Sequence, residues 1–164
     1  MTKIVTAFIM AFVFVGCSSS EVDAQSIVPK LVVNKNLENL GLKDQFEKSK
    51  QITNNTKTVI LAFSKDGAHI CNDYFATQKA DFLETNHTFF IADVSAAPSL
   101  IRSIFIMPGL KEFKHKVMIL DTKEIAANYR AGFDDKDIVV VKLDNHKIKD
   151  IKTISTKEEL VQLF

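Results

Sequence analysis

Continuous apolar runs alternate with polar stretches along this chain, and their lengths predict strands. Three of the runs are shorter than ten residues, as is typical of strands buried on both faces of a sheet. These runs are 58–63, 88–94 and 117–120. Two later stretches, 138–143 and 148–154, flank a turn at Asp144-Asn145 and predict a hairpin.

The residues between the first two runs predict a helix. Apolar side chains recur at helical spacing over 71–84. The preceding residues 64–68 include Asp66-Gly67 and predict a loop. Upstream of the first run, 31–33 and 40–52 predict short strand pieces or a hairpin.

Two more helices are predicted further along the chain. One begins near Pro98 and should end at Pro108-Gly109, because proline disrupts a helix interior. Its stretch 100–107 is more apolar than an exposed helix requires. Ile106 and Met107 could add to an exposed apolar patch with Ile104 and Phe105, and burial by the N-terminal segment is the plainer interpretation. Thr156 and Glu159 have the spacing of a capping box and predict the start of the last helix.

The predicted order is strand, helix, strand, helix, strand, strand, helix, which indicates an α/β domain. Right-handed crossovers would make the first three strands parallel and leave an antiparallel hairpin at the end. The charge is balanced, with Lys+Arg 21 against Asp+Glu 20 and a net charge of +1. Such a chain has no global field to attract nucleic acid, so we expect no nucleic-acid partner.

The N-terminus has the layout of a secretory signal. Lys3 precedes about a dozen apolar residues, which is shorter than the ~20 residues that a spanning helix needs. A short membrane anchor or a buried helix is the alternative. Residues 14–17, Phe-Val-Gly-Cys, resemble the lipobox of bacterial lipoproteins, in which a small residue precedes an acylated cysteine. Phe14 departs from the leucine usual there.

This resemblance implies a lipoprotein signal peptide over 1–16 and a covalent lipid, palmitate among its acyl chains, on Cys17. Residues 17–30 would then be a lipidated flexible tether, and 31–164 the folded domain. The protein would be lipid-anchored in the bacterial cell envelope and face the periplasm. Ser18 stands where inner-membrane retention requires aspartate, which favours the outer membrane over the inner.

A second resemblance covers roughly 31–164. The lead-in Leu-Lys-Asp-Gln-Phe at 42–46, followed by 58–64, is similar to the thiol-peroxidase and membrane-tethered branches of the thioredoxin fold. The predicted element order is also similar to that fold. The resemblance implies a thioredoxin-like three-layer sandwich with a central mixed β-sheet.

The residues that carry this family's dithiol chemistry do not match. The family places a Cys-x-x-Cys pair where the first core strand meets its helix, and a cis-proline faces it before the third strand. Here the matching residues 65–70 contain no cysteine, and the stretch 114–117 contains no proline. The resemblance therefore implies a redox-inactive domain that serves as a binding or assembly module, with an envelope protein as its partner.

Cys71 supports an alternative from the enzyme class. It is the one thiol left once Cys17 carries lipid, and we expect it in the first turn of its helix, near His69. A helix N-terminus can lower a thiol pKa, so Cys71 could serve a single-cysteine thiol reductase or peroxidase. The plainer interpretation is a small apolar side chain in the core.

A second alternative is a copper- or zinc-handling protein. His69, Cys71 and His115 are expected at one edge of the sheet, and imidazole and thiolate ligands suit Cu or Zn. Against this, Lys114 and Lys116 beside His115 would repel a cation. No motif indicates any other cofactor.

One modification pattern is present. Asn86-His87-Thr88, with Glu84 before it, resembles the extended acidic sequon of periplasmic N-glycosylation in some Gram-negative bacteria. Chance occurrence is the simpler interpretation.

Overall fold

A six-stranded mixed sheet forms the centre of the computed structural model, which describes residues 26–164. The strands are β1 (Lys43–Asp44), β2 (Thr58–Ala62), β3 (Thr88–Asp93), β4 (Met118–Leu120), β5 (Ile138–Asp144) and β6 (Lys147–Ile154). Their order across the sheet is β1-β4-β3-β2-β5-β6, with β2, β3 and β4 parallel and the other pairs antiparallel. The three buried runs and the closing hairpin are confirmed as strands. Of the predicted N-terminal strand pieces, only β1 and isolated bridges form.

Helices cover both faces of this sheet. They are α1 (Lys65–Ala76), α2 (Phe82–Thr85), α3 (Ser99–Ile101), α4 (Met107–Lys111), α5 (Lys123–Arg130) and α6 (Lys157–Val161). A π-helical turn, Arg102–Ile106, joins α3 to α4. The helices α1, α4 and α6 pack on one face, and α5 packs on the other together with the N-terminal segment.

Alternation along the strands divides the core between these two faces. In β2, Ile60 points toward Phe75 of α1, whereas Val59 and Leu61 point toward Tyr129 of α5. This period of two is the side-chain geometry of a strand buried on both faces. The domain is therefore a three-layer sandwich. Its layout is thioredoxin-like: a β2-α1-β3 unit comes first, and the β5–β6 hairpin and α6 follow.

The helix α5 was not predicted, and it changes how the strands are placed. It follows β4 and crosses the sheet on the face opposite α1 to reach β5, which pairs with β2. Its inward residues Ala126 and Tyr129 are buried, and Ile125 packs beside them. The spacing of these residues is typical of an amphipathic helix, so the helix could have been predicted from the sequence. The antiparallel neighbour of β2 is β5, the first strand of the hairpin.

The helix α1 begins six residues earlier than predicted. Ser64 is its N-cap, and the Ser64 Oγ accepts a hydrogen bond from the Gly67 nitrogen at 3.1 Å. Residues 64–68 are therefore a helix start and not a loop. Glycine suits position 67 because a Cβ there would lie 3.2 Å from Cγ1 of Ile138, at the start of β5. The close packing of α1 on β5 thus explains Gly67, which the neighbouring residues alone would assign to a turn.

The helical segment 99–111 continues through Pro108, which was expected to end it. The wide turn before Pro108 is closed by a hydrogen bond from the Met107 nitrogen to the Arg102 carbonyl. Pro108 then lies in the first turn of α4, where its missing N–H leaves no bond unmade. The expected burial of this segment is also wrong for its outer face, since the side chains of Leu100 and Phe105 are 65% and 67% exposed.

The predicted signal peptide over 1–16 and the lipid at Cys17 lie outside the described residues. Part of the predicted tether is described, and it is bonded to α5. The Val28 nitrogen donates to Asn128 Oδ1 at 2.9 Å, and the Lys30 nitrogen donates to the Asn128 carbonyl at 2.9 Å. Packing on the domain therefore starts slightly before residue 31. Within 26–164, no helix has the length and apolar character needed to cross a membrane.

Candidate functional site

The carboxyl ends of β2 and β3, where α1 begins, are the place at which this fold would carry a dithiol. The first turn of α1 consists of Lys65, Asp66, Gly67 and Ala68, and it contains no thiol. Asp66 places a negative charge near the positive end of the helix dipole, which stabilises the start of α1. The start of β5 packs against this turn through Ile138. At this place Gly67 packs on β5, whereas Lys65 and Asp66 are exposed.

The stretch that faces this turn differs from the one predicted. Because β5 is the antiparallel neighbour of β2, the residues leading into β5 are the counterpart of the cis-proline position. These are 134–137, not 114–117, which lead into β4 on the far side of β3. Residues 134–137 contain no proline, and the described part of the chain has no cis peptide bond.

Cys71 lies deeper in the helix than expected. It is the seventh residue of α1, about 9 Å along the axis from Lys65, so it is outside the first turn. Its side chain is completely buried in the core between α1 and the sheet, beside residues such as Ile60 and Phe75. Burial raises the pKa of the Cys71 thiol, whereas the enzyme interpretation needs a lowered one. The environment of Cys71 is that of a core residue.

The three residues considered as metal ligands are not brought together. His69 is exposed, whereas Cys71, two residues along the same helix, is buried. At 100° per residue, the two side chains point about 200° apart around the helix axis, so they cannot bind one ion. Across 26–164, no group of three or more His, Cys, Asp or Glu side chains has the arrangement to hold a metal.

His115 belongs instead to a buried polar network that the sequence did not reveal. Its Nε2 lies 3.0 Å from Asn72 Oδ1 on α1, which accepts a hydrogen bond from it. Gln45, also buried, donates from Nε2 to the His115 carbonyl at 2.8 Å and accepts from the Val117 nitrogen at 2.9 Å. The network ties α1, the residue that follows β1 and the lead-in to β4 into one unit.

The ring of His115 sits among aromatic side chains. It stacks on Phe113 with ring centroids 5.0 Å apart, and Phe75 meets it at 5.6 Å in an edge arrangement. Within the described residues, Nδ1 of His115 has no hydrogen-bond partner. Burial lowers the pKa of His115 to about 4, although the charge of Glu84 acts in the opposite direction. At neutral pH this histidine is uncharged and contributes packing.

A second unpredicted cluster closes the carboxyl end of β3. Arg130 of α5 pairs through Nη2 with Asp93, whose carboxylate is fully buried, and its Nε lies 3.2 Å from Asp135 Oδ1. The guanidinium carbon is 5.8 Å from the centre of the Phe63 ring, at the end of β2. The cluster therefore fixes the position of α5 at the ends of β2 and β3.

The residues of the glycosylation pattern are engaged within the fold. Asn86 Nδ2 donates to the Phe82 carbonyl at 2.8 Å, and Thr88 Oγ1 donates to the Asn86 carbonyl at 3.0 Å. Asn86 is half-buried and Thr88 is buried. These bonds account for both residues in the turn between α2 and β3.

No protein-family model and no curated protein matches this chain. Several solved structures resemble it, including the following two. One is a proposed protein disulfide isomerase from Bacteroides thetaiotaomicron, with 15% identity and a TM-score of 0.47, covering 84% of this chain and 89% of that one. The other is a peroxiredoxin-like protein from Aquifex aeolicus, with 12% identity and a TM-score of 0.47, covering 84% of this chain and 88% of that one.

Proposed function

We propose that this chain is an envelope-anchored lipoprotein whose thioredoxin-like domain is a redox-inactive binding or assembly module. The observation that carries the proposal is the position of Cys71. It is the one cysteine of the described domain, and its side chain is completely buried in the core between α1 and the sheet. A domain with this fold and no thiol that a substrate can reach lacks the group for redox chemistry, but its surface can still bind a partner.

The chemistry of thiols supports this choice over a peroxidase. The thiolate is the reactive form, and reactive cysteines lie in electropositive, partly exposed surroundings. Cys71 has neither feature, because its neighbours are apolar and burial raises its pKa. A peroxide or disulfide substrate would have to reach the thiol through the contact between α1 and the sheet.

The anchor in this proposal is supported by residues 1–17 alone. The short apolar run ends in Gly16-Cys17, which resembles a processing junction, and several acyl chains at about 0.8 kcal/mol per buried CH₂ would hold the protein on a membrane. Ser18 favours the outer membrane. The domain would then face the periplasm.

Alkylation of the folded protein tests the redox part of the proposal. Iodoacetamide labelling of Cys71 should be slow across about pH 6–9 and should become fast only in urea, because labelling requires the core to open. A matched control is Asp66→Cys in a Cys71→Ala background, which places a thiol in the exposed first turn of α1 and should label rapidly without urea. Half-maximal labelling of native Cys71 well below pH 8.5 would instead establish a reactive thiol.

Mass spectrometry tests the anchor separately. Protein from bacterial envelopes should begin at Cys17 and carry a diacylglycerol group, and radiolabelled palmitate should be incorporated. The Cys17→Ser variant should keep its first residues and take up no palmitate. An unmodified N-terminus in the parent protein would refute the anchor and leave the conclusion about Cys71 unaffected.

A further inference from the structure

The helical segment 99–111 carries apolar side chains on both of its sides. Four of them are exposed and form what we call the 100–105 face: Leu100 65%, Ile101 42%, Ile104 53% and Phe105 67%. Their spacing of one, three and one residues places them on one side of the helix. The opposite side packs on the domain core through Ile106, Met107 and Leu110. A helix with apolar side chains on two opposite sides normally has a partner on each of them.

The 100–105 face lies at the end of the domain where the described chain begins. Ile27 lines a groove together with Ser95 and Ala96, which follow β3. The same two residues line a neighbouring groove with Ser99 and Arg102, which begin the helical segment. The first described residues and the start of the helical segment that carries the 100–105 face therefore share one edge of the molecule.

The length of chain before this edge limits what can reach the face. Cys17 precedes Ile27 by ten residues, and ten residues span at most about 33–36 Å. A lipid on Cys17 would hold this edge of the domain within that distance of a bilayer at all times. Tethering of this kind raises the effective concentration of one surface at the other, so a weak contact becomes populated.

We propose that the 100–105 face docks on the phospholipid surface to which Cys17 is anchored, an inference that rests on the lipid anchor proposed above. A bilayer accepts leucine, isoleucine and phenylalanine side chains at the boundary of headgroups and acyl chains without a matching pocket. The docked domain has a fixed orientation. The opposite end of the sheet, where α1 ends and α6 packs, points away from the membrane and toward a periplasmic partner.

A tryptophan probe tests this contact directly, because the chain contains no tryptophan. Full-length acylated protein carrying Phe105→Trp is placed in vesicles of phosphatidylethanolamine and phosphatidylglycerol with brominated acyl chains. The control is Phe164→Trp, which is 40% exposed and packs on Phe82 at 4.8 Å, at the far end of the sheet. We expect bromine to quench the probe at 105 at least about twofold more than the probe at 164.

A second variant checks that the apolar face causes the quenching. Leu100→Ser with Ile104→Ser in the Phe105→Trp background should reduce quenching to the level of the probe at 164, while circular dichroism and flotation with the vesicles stay unchanged. Both side chains are exposed, so the fold does not depend on them.

Three results would overturn the inference, and they are distinguishable. Protein that carries lipid and floats with the vesicles, but whose probe at 105 is not quenched, leaves the anchor in place and refutes the docking; the face would then be free for a protein partner. A blue shift at 105 that depends on protein concentration in detergent, without vesicles, assigns the face to a second copy of the chain. Protein without acyl groups refutes the anchor and the docking together.

Discussion

Acidification should destabilise the folded domain through His115. Burial lowers the pKa of His115 from 6.5 to about 4, despite the opposing charge of Glu84, and the side chain is almost completely inaccessible to solvent. As pH falls below 6.5, the unfolded chain binds a proton that the folded protein does not, so the free energy of unfolding decreases. The decrease ends near pH 4, where the folded protein is protonated too.

The size of this effect follows from the distance between the two pKa values. At about 1.36 kcal/mol per pKa unit, the whole window is worth about 3 kcal/mol, of which about 2 kcal/mol is lost between about pH 7.5 and pH 5. The loss is best measured above about pH 5, because carboxylates that pair with arginine or lysine protonate mainly below that pH and add their own effects.

Urea unfolding followed by circular dichroism at several pH values measures the loss. The variant His115→Gln keeps a side-chain hydrogen bond to Asn72 but has no charge to gain, so its stability should change about 2 kcal/mol less between about pH 7.5 and pH 5. The variant His69→Gln removes an exposed histidine from the same protein and should retain the full pH dependence. Parallel curves for the parent protein and His115→Gln, with equal urea dependence, would refute the reasoning.

Three further substitutions have defined outcomes, each measured by urea unfolding at neutral pH. Cys71→Ser should cost about 1–3 kcal/mol because it buries a hydroxyl among apolar side chains, and an unchanged stability would mean that the thiol is reachable by solvent. Arg130→Met should cost about 2–4 kcal/mol by leaving the Asp93 carboxylate buried without its partner, and adding Asp93→Asn should recover part of the loss. Gly67→Val should cost about 1–3 kcal/mol because the new side chain presses on the start of β5. Gly109→Ala adds a methyl group in open space within a helix and should stabilise the protein by up to about 1 kcal/mol. Equal effects of the two substitutions would contradict the packing assigned to α1.

Much of the secondary structure was predictable because it is specified by neighbours in the chain. Strands such as β2 and β3 are continuous apolar runs. The β5–β6 hairpin turns at Asn145-His146, one residue later than the predicted Asp144-Asn145, and both turn residues adopt positive φ angles. The last helix begins at the predicted capping box, in which Thr156 and Glu159 satisfy each other's backbone nitrogens. Each of these signals involves residues close together in sequence.

The predictions that failed involve contacts between distant residues. Asp66-Gly67 suggested a loop because glycine commonly marks turns, but packing on Ile138, about seventy positions away, explains that glycine within a helix. Pro108 suggested a helix end, and the π-helical turn before it removes the conflict. The missed helix α5 led to the wrong stretch being compared with the cis-proline position.

The sequence by itself determined the α/β class, the buried strands, the closing hairpin, and the absence of cysteine from the start of α1, since these depend on local pattern and residue identity. Only the tertiary structure decided the state of the chemical groups. Cys71 is a core thiol and His115 is an uncharged, buried partner of Asn72, 43 positions away, because surrounding elements exclude water from them. Desolvation depends on which residues pack around a side chain in space, and these neighbours cannot be identified from the order of residues along the chain.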